Sequence, residues 1–244
     1  SEWANNGFRG IYEMATGTGK TRTAIGSIKK LEKEDKKFIT IVVVPSDPLG
    51  VQWKEELEKW NYETTLTMKN TKWKKNIKDY LLLYENNEID NLCIVTSYVT
   101  FANEKFQDIL VKSKLNKLLI ADEVHHIGAP DAQDGMIETY DYRLGLTATL
   151  ERYFDEKGTN TIKRFFQGIT KDVVFKYTMG QAIKDGWLSE YKYHIREVDL
   201  TEEEYDKYKS ESFTMARLYK KAFVQHDLAT SYLRLLFLPL CELC

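Results

Sequence analysis

The sequence predicts an α/β protein with a central, mostly parallel sheet flanked by helices, and three observations carry that prediction. Several apolar, β-branched runs are continuous rather than alternating: "FITIVVVP" (38–45), "LCIVTSY" (92–98), "KLLIADE" (117–123) and "YRLGLTAT" (142–149). Such runs mark strands buried on both faces. Amphipathic helical patterns separate them. The chemically unusual residues follow directly on the strand runs, which is where open α/β sheets bind their ligands.

Taken in order, "GIYEMA" (10–15) is a short apolar lead into "TGTGKT" (16–21). After Thr21, the residues Ala24, Ile25, Ile28 and Leu31 recur on one helical face, and Leu49, Trp53, Leu57 and Trp60 do so after the 38–45 strand. "WKKNIKDYLLLYENNE" (73–88) and "FANEKFQDILVKSK" (101–114) are two more amphipathic helices. Beyond about residue 150 the pattern loosens. "ERYFDEKGTNTIKRFFQG" (151–168) reads as an irregular, charged connection, "DVVFKYT" (172–178) as a strand, and "MGQAIKDGWL" (179–188) as a short helix ending at Gly186. "EYKYHIREVDL" (190–200) alternates like a strand, and Thr201 with Glu204 at capping-box spacing opens a further helix. No repeat or low-complexity segment occurs.

The 244 residues, 43% of them hydrophobic, suffice for a sizeable core, and 35 basic against 37 acidic residues leave the net charge silent about partners. Three cysteines, Cys93, Cys241 and Cys244, are too few and too uneven for a disulfide framework. No apolar run reaches the roughly 18 residues that span a bilayer. The longest, "YLRLLFLPLCELC" (232–244), is broken by Arg234, Pro239 and Glu242. With no signal-peptide pattern at the start, a cytoplasmic protein without a membrane partner is expected.

Two segments carry chemistry. In "TGTGKT", Gly17 and Gly19 let the backbone fold tightly so that successive N–H groups point at an anion. Lys20 adds a mobile positive charge, Thr21 a hydroxyl for magnesium, and the helix that follows its positive end. The alternative is a chance glycine turn before a helix. The general phosphate-loop pattern asks for a glycine six positions before the lysine, where this chain has Met14. In "LLIADEVHH" (118–126) an apolar strand ends in adjacent carboxylates. Asp122 is placed to hold the magnesium and Glu123 to position and deprotonate an attacking water, the division of labour that phosphoryl transfer requires. By itself, this pair reads equally well as a solvated strand end.

With both segments in hand, "ATGTGKT", "VVVPSDPLGVQW", "TSY", "DEVHH" and "LGLTATLER" stand in the order of the superfamily 2 helicases and translocases. The chain resembles the first RecA-like motor domain of that superfamily, a P-loop NTPase fold. It is most similar to the DExH-type branch of type III and type I restriction motor subunits and excision-repair helicases. The motifs span residues 15–152. That family's phosphate loop commonly lacks the early glycine, which accounts for Met14. The resemblance implies that Thr16, Gly17, Thr18, Gly19, Lys20 and Thr21 bind ATP, that Thr21 and Asp122 hold Mg2+, and that Glu123 is the base. It implies that His125 links the acidic box to its neighbours and that Thr147 and Thr149 couple hydrolysis to movement. Pro45, Ser46, Thr96, Ser97 and Tyr98 match segments that touch the nucleic-acid backbone.

Plainer readings stand beside several of these. His125 and His126 could be loop histidines, and Thr147 and Thr149 β-favouring residues. Tyr98 and Trp53 read as packing aromatics, and the lysines of "KNTKWKKNIK" (69–78) as a solvated helix face. "CELC" at 241–244 is half a zinc site, with zinc the less favoured reading.

The resemblance further implies an ATP-dependent enzyme moving on nucleic acid, with DNA favoured over RNA by the branch, or an ATP-switched binding module without strand separation. Residues 1–175 are expected to form the motor domain, 176–190 a crossover, and 191–244 the start of a second RecA-like domain of the same polypeptide. That second domain supplies arginines to the ATP site in this superfamily. A nuclease or modification subunit is a further partner that the restriction-type resemblance allows.

Overall fold

A computed structural model describes residues 1–224 apart from 36, 153, 154, 191, 193 and 197, and apart from the side chains of 130 and 219–224. Cys241 and Cys244 therefore lie outside the described residues. The chain divides into two compact units, Ser1–Glu190 and Tyr191–Cys244. In the first, the elements run α1 (Glu2–Asn5), β1 (Arg9–Met14), α2 (Lys20–Leu31), β2 (Phe38–Val44), α3 (Asp47–Lys59), β3 (Thr64–Leu66), α4 (Trp73–Glu85), β4 (Leu92–Ser97), α5 (Tyr98–Phe101), α6 (Glu104–Lys112) and β5 (Asn116–Ala121). A 3-10 turn (Val124–Gly128), α7 (Pro130–Gln133), β6 (Tyr142–Thr147), α8 (Glu156–Phe166), β7 (Val173–Tyr177) and α9 (Met179–Lys184) complete it.

The strands form one seven-stranded sheet in the order β3-β4-β2-β5-β6-β1-β7, and every pairing is parallel. Side chains of the interior strand β2 are all buried, and they alternate between two cores. Ile39, Ile41 and Val43 face Ile77 and Leu81 of α4, Phe106 and Leu110 of α6, and Ile162 and Phe166 of α8. Phe38, Val42 and Val44 face Ala24, Ile25, Ile28 and Leu31 of α2 and Trp53 and Leu57 of α3. This two-sided cover is why the strand sequences read as unbroken apolar runs.

Two expectations are corrected. Residues 151–168 are not an irregular connection, because α8 occupies 156–166. Its Asp155 cap accepts the Gly158 N–H at 2.8 Å, and Ile162, Phe165 and Phe166 are buried at helical spacing beneath a charged outer face. The described residues of 190–200 lie in no strand, although they alternate. Alternation alone makes no strand unless a neighbouring ladder takes up its N–H and C=O groups.

The second unit is described through α10 (Glu202–Val224). The capping box at its start is present: the Thr201 N–H donates to Glu204 Oε2 at 2.9 Å and the Glu204 N–H to Thr201 Oγ1 at 3.3 Å. No helix among the described residues is long and apolar enough to cross a membrane.

Candidate active site

The parallel register brings the carboxyl ends of β1, β6 and β5 side by side, with Glu13 opposite Thr147 and Gly145 opposite Ala121. The loop after β1, the Asp122–Glu123 pair after β5 and the "TAT" segment after β6 therefore share one edge of the sheet.

In the β1–α2 loop, Gly17 and Gly19 take left-handed φ values of 80° and 86°. A Cβ at Gly19 would meet open space, so glycine is needed there for its backbone conformation alone. The loop is tied by the Thr18 hydroxyl donating to the Ala15 carbonyl at 2.6 Å. Met14 is buried, and its carbonyl accepts from Lys20 Nζ at 3.5 Å. Position 14 therefore ends a core strand rather than lining the loop, and a side chain fits there. No acidic residue occupies the first turn of α2, whose exposed N–H groups remain an anion-attracting end.

Asp122 is buried, and each part of it is held. Its Oδ2 accepts the Trp53 indole N–H at 2.7 Å, its Oδ1 the Glu123 N–H at 3.0 Å, and its carbonyl the Tyr98 hydroxyl at 2.7 Å. Burial pushes this carboxyl above its ordinary range, and the Trp53 hydrogen bond opposes the rise. Glu123 adopts φ 47°, which is uncommon for a residue with a side chain. Lys20 Nζ lies 3.7 Å from Glu123 Oε1, so the loop lysine and the acid pair face each other.

His125 sits between the acidic pair and β6. Its Nδ1 is 3.6 Å from Glu123 Oε2 and 3.4 Å from Thr147 Oγ1. Burial first, then the charges of Arg152 and Lys20, hold its pKa below the ordinary histidine value. The Thr147 hydroxyl donates to the Thr149 carbonyl at 2.6 Å, and Arg152 Nη1 donates to the His125 carbonyl. His125, Thr147 and Thr149 thus form one connected group beside Glu123.

The segments matched to nucleic-acid contact separate into two sets. Pro45 and Ser46 follow β2, Ser97 ends β4, and the register sets Val44 opposite Ser97, so these three are close and at least partly accessible. The side chains of Thr96 and Tyr98 turn inward. Thr96 is fully buried with its hydroxyl bonded to Thr67 at 2.8 Å, and the buried Tyr98 hydroxyl is bonded to Asp122.

The donor set suits a magnesium nucleotide. Among the described residues no group of three or more His, Cys, Asp or Glu could hold an ion unaided. Magnesium in nucleotide sites uses one or two protein oxygens and completes its shell with phosphates and water. The Thr21 hydroxyl and the Asp122 carboxylate are hard oxygen donors of that kind, and Lys20 and the loop amides offer complementary positive charge.

The sequence reading did not anticipate the bonds of Trp53 and Tyr98 to Asp122. A buried indole N–H requires an acceptor; that signal existed at Trp53, but spacing alone did not name the acceptor.

A family model described as the type III restriction enzyme, res subunit, matches residues 1–152. The chain belongs to this family, within helicase superfamily 2. The res-family chain is 28% identical over 207 residues to a protein of Sulfurisphaera tokodaii named DNA 3'-5' translocase XPB2, covering 82% of this chain and 39% of that protein. It is 27% identical over 205 residues to a Rad25-named protein of Haloarcula marismortui, covering 83% of this chain and 29% of that one. The chain thus spans less than two fifths of either relative. Among solved structures it resembles the ATP-dependent type ISP restriction-modification enzyme LlaBIII bound to DNA, with TM-score 0.57, 23% identity, and 78% of this chain and 15% of that chain covered. It also resembles the Pyrococcus furiosus Hef helicase domain, with TM-score 0.53, 17% identity, and coverage of 93% and 46%. These structural likenesses establish the RecA-like fold.

Proposed function

We propose that this chain is the ATP-binding part of a motor that moves along DNA. The observation that carries the reading is the approach of Lys20 Nζ to Glu123 Oε1, 3.7 Å apart at the carboxyl end of a parallel sheet. Thr16 to Thr21 cradle the triphosphate, with Lys20 neutralising its outer phosphates. Thr21 and Asp122 hold Mg2+, which when bound shields the charge that develops on the phosphates. Glu123 orients an attacking water and takes its proton. His125, Thr147 and Thr149 pass the state of this site to β6 and the elements beyond it. Pro45, Ser46 and Ser97 meet the sugar-phosphate backbone, so binding tolerates any sequence and weakens with salt.

The names of the translocase relative and of the DNA-bound restriction enzyme support DNA over RNA and movement over switched binding. Residues 1–175 act as the motor domain, 176–190 as the crossover and 191–244 as the start of a second RecA-like domain, which supplies arginines to the ATP. A cytoplasmic location fits a DNA substrate, and a nuclease or modification subunit is the partner expected of a restriction-type motor.

The test is ATP turnover by the complete protein with and without single- and double-stranded DNA and RNA. DNA is expected to stimulate, and Glu123→Gln to lower stimulated kcat by about 10² to 10⁴, with Lys20→Ala as a second inactive control. Stimulation by RNA alone, or a fully active Glu123→Gln protein, contradicts the reading. Residues 1–244 alone are expected to turn over about 10³-fold or more slowly than the complete protein, the usual worth of an arginine supplied from outside.

A further inference from the structure

Trp53 lies on α3 and is 1% exposed, but its one polar atom does not merely survive burial. The indole N–H donates to Asp122 Oδ2 at 2.7 Å. Asp122 is also buried, so little water competes for that bond. The carboxylate, fixed by Trp53 through Oδ2, accepts the Glu123 N–H through Oδ1 at 3.0 Å. Glu123 is the residue with φ 47°, a conformation that side-chain-bearing residues hold only when their surroundings impose it. One chain of contacts thus runs from the indole through the carboxylate to the strained peptide that carries the second acid.

We propose that Trp53 is a positioning residue for the reaction: its indole N–H sets the orientation of the Asp122 carboxylate, and through it the turn that aims Glu123 at the phosphate loop. A packing aromatic would need only its ring. Phenylalanine would then serve equally well, whereas the bond to Oδ2 requires the donor. Outer-shell donors of this kind typically change metal affinity or activity by roughly 10- to 100-fold. The proposal rests on the reading of Asp122 as the magnesium ligand.

The test uses the complete protein with Trp53→Phe, which keeps a ring in the slot and deletes the donor. ADP binding is measured by calorimetry over a series of Mg2+ concentrations and again in EDTA. The Mg2+ concentration that half-maximally tightens ADP is expected to rise about 10-fold or more. Binding in EDTA, carried by Lys20 and the loop amides, is expected to stay unchanged. kcat for ATP is expected to fall with KM nearly constant. A second protein carries benzothienylalanine at position 53, the same shape with sulfur in place of N–H, and decides the matter if the phenylalanine protein melts early. A parental Mg2+ requirement in that second protein overturns the proposal. The underlying site reading fails separately. If Glu123→Gln and Lys20→Ala leave stimulated turnover intact, the site is misassigned. If they abolish it while both Trp53 proteins bind magnesium and ADP as the parent does, only the role of Trp53 falls.

Discussion

The two ends of the sheet are built on different terms. At the amino end, a cavity of about 270 Å³ is lined by Lys29, Glu32, Tyr62 and Tyr84 among others. There the Tyr62 hydroxyl donates to Glu32 at 2.6 Å, Lys29 sits 4.4 Å above the Tyr62 ring, and the Tyr84 hydroxyl donates to the Phe38 carbonyl at 3.1 Å. At the carboxyl end, the contacts of Lys20 among the described residues are long, 3.5 Å to the Met14 carbonyl and 3.7 Å to Glu123, and Glu123 holds a strained backbone. The amino end has its polar groups paired at short range within the protein. The carboxyl end bonds its supporting groups as tightly, Trp53 to Asp122 at 2.7 Å and Thr147 to Thr149 at 2.6 Å, but leaves Lys20 and Glu123 3.7 Å apart, a gap that a ligand would bridge. The contrast separates what holds the fold from what the fold presents.

The largest expected effect that sharpens this contrast is the loss of turnover in Glu123→Gln with no drop in melting temperature. A parallel loss of stability would make Glu123 a structural residue and break the comparison. Next is Cys93, at the amino end and buried, whose thiol is pushed up to about 12 chiefly by burial. Alkylation at the Cys93 peptide, followed by mass spectrometry, is expected to be slower than that of an exposed cysteine by about 10³-fold at neutral pH. Rapid labelling of the folded protein would show that this end opens readily.

Arg143 comes third. It is buried at the start of β6, and donates to the carbonyls of Tyr140 at 3.1 Å and Phe165 at 2.9 Å. Arg143→Ala leaves those acceptors unpaired and is expected to cost about 3 kcal/mol by urea denaturation. kcat of the folded fraction should not change. Its ion pair with the exposed Glu138 contributes little to that loss.

The smallest effect concerns pH. Burial lowers the pKa of both His125 and His126, with Arg152 adding to each, Lys20 to the first and His125 to the second. The unfolded chain therefore takes up these protons first as pH falls. Their contribution to stability is present above the ordinary histidine value of about 6.5 and is lost below it. Denaturation midpoints at pH 7.5 and 5.5 are expected to differ in that direction, and His126→Asn should narrow the difference. An unchanged difference would contradict the assignment.

Much of this molecule was legible in the sequence where a single pattern met a single environment. β2 read as a strand because helices cover both of its faces, and α2 because Ala24, Ile25, Ile28 and Leu31 all turn to one core. The glycine turn after β1 and the adjacent carboxylates after β5 were legible because glycine conformation and a strand's end are local features. α8 was hidden by its charges, which outnumber the buried Ile162, Phe165 and Phe166 that decide its fold. Alternation over 190–200 misled because strands depend on partners that no local pattern supplies. Thr96 and Tyr98 followed their motif by position, but the pleat and the short α5 turned them inward. The Trp53 bond joins residues 69 positions apart, beyond the reach of spacing arguments.

The most direct measurement is a crystal structure of the complete protein with magnesium and a non-hydrolysable ATP analogue. The expected map has the outer phosphate between Lys20 Nζ and the Glu123 carboxylate, with the metal on the Thr21 and Asp122 side. A nucleotide bound elsewhere, with Lys20 and Glu123 still facing each other across an empty gap, would contradict the central claim.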